Sequence, residues 1–130
     1  MKTILTTILL TTTLHAAPPE SFWKAMHHVE TRGKVGWIWG DNRRSLGPLQ
    51  ISRAYFLDSK VPGSWGNCTS LAYSKRVATA YLKRYAPKAW AAGDCQTLAR
   101  IHNGGPKGHK KRATLPYWQR ITQTMRRIGR

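Results

Sequence analysis

Five carboxylates stand against twenty-two lysines and arginines in this 130-residue sequence, and two of them, Glu30 and Asp41, flank a Gly/Trp stretch in "HHVETRGKVGWIWGDN". Hydrolysing a glycosidic bond calls for such a pair: one carboxylic acid kept protonated near neutral pH, and often an ionised partner that stabilises or captures the oxocarbenium centre. Glu30 suits the first role. A helix opening at Ser21 carries Phe22, Ala25, Met26 and Val29 at helical spacing and stops at Gly33, so Glu30 falls in its last turn, on the rim of the apolar stripe beside Trp23 and Met26. Burial there disfavours the charged form while the many cations favour it, and the two effects oppose. Asp41, on a polar turn, suits the second role. The same pattern also fits an ordinary surface acid at a helix end. The other acids have simpler positions: Glu20 near the start of the folded chain, Asp58 at a short helix end, Asp94 at a helix cap.

The elements that must position the pair read as mainly α with a small β wing, in a single domain. Val35, Trp37 and Trp39 alternate with Gly and Ile38 from Gly33 to Gly40, a short hairpin or irregular wing that turns at Asp41-Asn42. Ser52 to Leu57 reads as a short helix and Val61 to Asn67 as a Pro/Gly loop. A longer helix from Thr69 has its stripe at Leu71, Ala78, Leu82 and Tyr85 and is stopped by Pro87. Asp94 caps a helix through Leu98 and Ile101 that ends at Asn103-Gly104-Gly105-Pro106. Thr114 caps the last, in which Trp118, Ile121, Met125 and Ile128 share one face and Pro116 is tolerated in the first turn.

Composition narrows the setting. Met1-Lys2, an apolar or Thr-rich run from Ile4 to Leu14 and then Leu14-His15-Ala16 have the form of a signal peptide, residues 1–17, ahead of a folded domain at 18–130. That implies a secreted or periplasmic protein with no integral membrane insertion. In such a compartment the two cysteines, Cys68 and Cys95, are expected to form a disulfide, worth roughly 3 kcal/mol in the chain-entropy model. The formal net charge is +17, and loss of the leader removes only Lys2. Such a charge draws the protein to anionic cell-wall polymers, nucleic acid or anionic membrane without choosing among them. His27 and His28 near Glu30 do not make a His-Glu-x-x-His signature, so no metal or cofactor is implied.

The series "VET", Asp41, "SLGPLQI", "YLKRYAP", "ARIHNGGPKG" and "TLPYW", in this order from about Ser21 to Ile121, resembles the invertebrate-type (i-type) lysozymes, also called the destabilase family. The resemblance implies a lysozyme-like α+β fold and a muramidase that cleaves the β-1,4 bond between N-acetylmuramic acid and N-acetylglucosamine in peptidoglycan glycan strands. It places Glu30 at the family's general acid and Asp41 at its second carboxylate. The expected protein acts as a monomer, without a cofactor and without a specific nucleic-acid partner. Leu46 and His109 stand where members often have cysteine, so the family's disulfide pairing is not carried over. Ser52 stands where the lysine of a Ser/Lys isopeptidase pair is expected, so that activity is not carried over either.

A competing resemblance is to soluble lytic transglycosylases, echoed in "GPLQI" and "IHNGGP", which use one Glu and cyclise the sugar. Asp41 favours the hydrolase. Gln50 is a candidate for an N-acetyl group or glycan hydroxyl, with Gly47 and Pro48 bringing the backbone close. His102 stands where the transglycosylase motif has a tyrosine touching the catalytic acid, so it is a candidate to orient Glu30. Asn103 and Gly104 offer polar groups to the glycan, and Tyr117, with Trp37 and Trp39, offers stacking surface; Trp118 belongs to the core stripe. Against these stands a non-enzymatic reading, a secreted cationic binder of nucleic acid, membrane or wall, which explains the charge and the "KGHKKR" run but leaves Glu30 and Asp41 without a role.

Overall fold

The computed structural model describes residues 17–129; the expected signal segment lies almost entirely outside the described residues. Six helices surround one apolar core: α1 (Glu20–Thr31), α2 (Arg53–Ser59), α3 (Leu71–Tyr85), α4 (Pro87–Ala92), α5 (Cys95–Gly104) and α6 (Leu115–Ile128). Strands β1 (Trp39–Gly40), β2 (Ser45–Leu46) and β3 (Ile51–Ser52) form an antiparallel sheet in the order β1-β2-β3, with Trp39 opposite Leu46 and Leu46 opposite Ile51. This is the expected helical domain with a small wing. No described helix is long and apolar enough to cross a membrane.

The core is built by the expected stripe of α1, with Phe22, Ala25 and Met26 fully buried, and by Leu82, Leu98, Ile101 and Ile121 from the other helices. Each such large side chain removed from water stabilises the fold by about 1.5–3 kcal/mol. Local chemistry sets several boundaries. The Ser52 side chain accepts from Tyr55 N to start α2, and Asp94 accepts from Thr97 N to start α5. α1 opens instead at Pro19 with no side-chain cap, two residues ahead of the expected Ser21. α3 is capped by Ser70, not Thr69. Pro87 does end α3, but it also begins α4, since proline fits the first helical turn where its missing N–H is not needed.

The last helix is rotated relative to its expected stripe. Tyr117, Ile121 and Thr124 are its buried residues, while Trp118 and Met125 are half-buried and Ile128 is exposed. Thr114 stands at its N-cap position as expected, but its side chain makes no capping bond: the hydroxyl donates to the Gly108 carbonyl at 2.7 Å and accepts from Arg100 Nε at 2.9 Å.

The expected disulfide is not formed. Cys68 and Cys95 are free thiols. Cys68 is fully buried in a 3-10 turn (Trp65–Thr69) that packs on α2, α3 and β2, whereas Cys95 opens α5, which packs on α3, α4 and α6. Burial pushes the Cys68 thiol up to about 11 and raises that of Cys95. The fold therefore rests on its core.

The wing is tied to α1 at defined points. Thr31 Oγ1 donates to the Pro48 carbonyl at 2.9 Å, and Gly47 N donates to Ile38 O at 2.8 Å. Gly47 has φ +81°, and a Cβ there would lie 1.9 Å from the Cys68 carbonyl oxygen. The close approach that "GPLQI" suggests is thus made to the protein's own backbone. Gly33 has the same φ of +81° but open space around it. Gly47→Ala is expected to lower unfolding stability by about 2–4 kcal/mol through clash plus strain, and Gly33→Ala by only about 1 kcal/mol. Denaturant titration of the two variants checks the difference; equal losses would remove the packing argument.

Candidate active site

Glu30 reaches the end of α1 on the rim of its buried face, where the side chain keeps 17% exposure. The tight turn after β1 brings Asp41 to the same place. Asp41, Asn42 and Arg43 all adopt left-handed backbone, with φ of 51°, 53° and 64°, a conformation to which Asp and Asn adapt more readily than most side chains. Glu30, Asp41, Ser45, Gln50, His102 and Asn103 together line a polar cleft of about 280 Å³ between the helices and the wing. The two acids that the sequence singled out therefore share one cavity.

Burial raises the Glu30 carboxyl from its ordinary value of 4.5 to about 7; the Tyr117 phenol and the Arg120 guanidinium pull the other way, and burial wins. The cationic charge of the chain does not reverse the shift because most of it sits in exposed, solvated side chains. Asp41 is exposed on its turn. The two carboxyl groups thus occupy contrasting environments, one desolvated and one exposed.

His102 lies beneath Glu30, nearly all buried, and its imidazole is pushed down to about 4 by burial. It is therefore neutral, and the 3.7 Å approach of Nε2 to Glu30 Oε1 is not an ion pair. The network assigns its tautomer: Nε2–H donates to the Leu49 carbonyl at 3.1 Å, and Nδ1 accepts from the Tyr55 hydroxyl at 2.8 Å. Tyr55 is fixed in turn by stacking on Tyr81, with ring centroids 3.6 Å apart. A neutral ring held at both nitrogens adds no charge that would ionise Glu30.

Several expected sugar contacts have other occupations. Both amide hydrogens of Gln50 are used, on Ile38 O and Gly47 O, each at 3.0 Å, so its NH2 braces the wing while the residue still lines the cleft. Gly104 does not line the cleft. Its carbonyl accepts from Lys111 Nζ at 2.7 Å and a Cβ there would meet the Thr114 methyl at 2.5 Å, so packing explains the glycine. Tyr117 is buried to 3% exposure and cannot stack on a sugar; it stood on the buried face that the sequence assigned to Trp118. Its buried hydroxyl is directed at Glu30, where it favours the charged carboxylate and so opposes the effect of burial. Asn103 is exposed at the cleft edge. Trp37 and Trp39 are 67% and 43% exposed, 5.9 Å apart on the wing rather than in the cleft itself.

Sequence reasoning missed Ser45, Tyr55 and Arg120. Ser45 follows from strand pairing, which two-residue strands do not announce. Arg120 follows from the rotation of α6, which also lays its guanidinium 5.9 Å from the Tyr117 ring. Among the described residues no group of three or more His, Cys, Asp or Glu is arranged to hold a metal ion.

A helical domain with a small antiparallel wing, and a polar cleft lined by a desolvated Glu and an Asp, is the arrangement of the lysozyme-like class, and solved structures agree with the fold. The lysozyme of Meretrix lusoria, solved with an inhibitor bound, superposes with a TM-score of 0.69 at 33% identity, covering 82% of this chain and 89% of that one. The Tapes japonica lysozyme gives 0.69 at 31% identity, covering 82% and 93%. The chain belongs to the Destabilase family, whose model matches residues 24–124. Lysozyme 1 of Crassostrea virginica is 42% identical over 89 residues, which cover 67% of this chain and 48% of that protein. A Meretrix lusoria lysozyme is 43% identical over 79 residues, covering 59% and 65%. The matches thus span about half to two thirds of the length of these relatives.

Proposed function

We propose that this protein is a muramidase that hydrolyses the β-1,4 bond between N-acetylmuramic acid and N-acetylglucosamine in peptidoglycan. The observation that carries the reading is the shared cleft, lined by a carboxyl raised to about 7 and by a second acidic side chain. Glu30, protonated below that value, donates its proton to the glycosidic oxygen as the bond to the anomeric carbon breaks. Asp41 stabilises or captures the positive charge on the sugar, and water completes the hydrolysis. His102 positions the floor under Glu30 without charging it. Asn103 at the rim and the free face of Gln50 are placed to meet glycan groups. Export to a secreted or periplasmic compartment and action as a monomer complete the proposal, and the names of the similar lysozymes support it.

Purified peptidoglycan incubated with the protein should release new reducing ends; no release at any pH would leave only a cationic binder. The same assay carries a pH prediction. The alkaline limb of kcat/KM should fall through about pH 7, because deprotonation of Glu30 removes the general acid. A limb above pH 9 would assign the acid to another group.

A further inference from the structure

A concentration of positive charge lies beside the acid site, between the C-terminal parts of α1 and α6. There a groove of about 560 Å³ is lined by His28, Arg32, Arg120, Arg126 and Arg127 above Thr124, and no carboxylate lines it. A neighbouring hollow shares His28 and Arg127 and adds Lys24, extending the cationic track along α1. The groove adjoins the acid site: Val29 and Arg120 line it, the first next to Glu30 in sequence and the second acting on the Glu30 carboxyl.

We propose that this groove binds the phosphodiester backbone of a linear poly(polyol phosphate), the teichoic-acid chemistry of bacterial walls, while the glycan to which it is attached lies in the Glu30 cleft. The four charged side chains of the groove are all arginines, whose planar forks match phosphate oxygens two at a time and keep their charge at any physiological pH. A concave track takes a chain, whereas a bilayer needs a protruding apolar face. No Trp, Tyr or Phe lines the groove, so it lacks the broad aromatic platform on which single-stranded nucleic acid stacks successive bases. The choice of a wall polymer among phosphodiesters rests on the muramidase reading; the capture of phosphate groups does not.

The test is co-sedimentation with walls bearing poly(glycerol phosphate), and with the same walls stripped of it by hydrofluoric acid, in a Glu30→Gln background so that no wall is digested. The groove variant is Arg32→Gln/Arg126→Gln/Arg127→Gln, which leaves Arg120 in place. The control is Arg53→Gln/Arg76→Gln/Lys88→Gln, an equal loss of charge from exposed positions elsewhere. The groove variant should bind polymer-bearing walls at least about tenfold more weakly, the loss expected for several charge-assisted contacts. The control should stay within about twofold, as for distributed and screened charge, and the proteins should not differ on stripped walls. Equal losses in both variants, the same loss on stripped walls, or a loss confined to phosphatidylglycerol vesicles would each overturn the proposal. If the triple variant unfolds, Arg126→Gln/Arg127→Gln, which spares the helix-ending Arg32, makes the same comparison. Failure of the chain with Glu30 intact to release muropeptides from stripped walls would sink the muramidase reading alone, so the two failures are distinguishable.

Discussion

Replacing Glu30 with Gln is expected to cut peptidoglycan turnover by about 10²–10⁴-fold, the usual worth of a positioned general acid, while sedimentation with walls stays near that of the parent. Gln keeps the shape of the side chain and its place on the rim of α1 but has no acidic proton to give. A merely electrostatic role in wall binding would produce the opposite pattern, with binding changed and no turnover to lose. The substitution has a second consequence in stability. Because the folded-state value of Glu30 is raised from 4.5 to about 7, the stabilising linkage is fully present below about pH 4.5 and is lost as pH rises through about 7. Above that, the parent holds a desolvated carboxylate that the variant lacks. Glu30→Gln should therefore be more stable than the parent at pH 8, by about 1–3 kcal/mol, and lose that advantage at pH 4. Melting curves at the two pH values check the sign; a variant less stable at pH 8 would mean that Glu30 is not desolvated.

Asp41→Asn is the second large effect. Asn accepts the left-handed backbone that this turn requires at φ 51°, so the β1-β2 connection and overall stability should hold to within about 0.5 kcal/mol, as at other tolerant surface positions. Only the charge is lost. If Asp41 stabilises the oxocarbenium centre, kcat should fall by about 10²-fold or more with KM little changed, the pattern of an interaction made in the transition state. Initial rates on soluble glycan fragments measure both constants. A rate near that of the parent would reduce Asp41 to a turn residue and return the single-carboxylate transglycosylase to the front.

The two acids were legible because each carries a local signature. Glu30 sits at a helical phase that only a rim position satisfies, and Asp41 follows Gly40 in a dipeptide with turn chemistry. What brings them together was not legible. The wing strands are two residues long, too short for an alternation pattern, and their register depends on the Thr31–Pro48 and Gly47–Ile38 bonds, which are tertiary. The same limit explains the errors. Tyr117 and Trp118 are adjacent in a helix whose apolar residues admit two neighbouring faces, and contact with α1 and α5 chose the one that buries Tyr117. Gln50 reads equally as ligand contact or brace until the carbonyls of Ile38 and Gly47 are placed beside it. A disulfide between two exported cysteines is a rule about compartments, and it says nothing about whether two turns present their sulfurs to each other.

The central claim is that water, delivered against a bond protonated by Glu30, ends the reaction. Mass analysis of the muropeptides released from purified peptidoglycan tests this directly. Products ending in reducing N-acetylmuramic acid, heavier than the anhydro form by one water, are the predicted result; 1,6-anhydro ends throughout would contradict it.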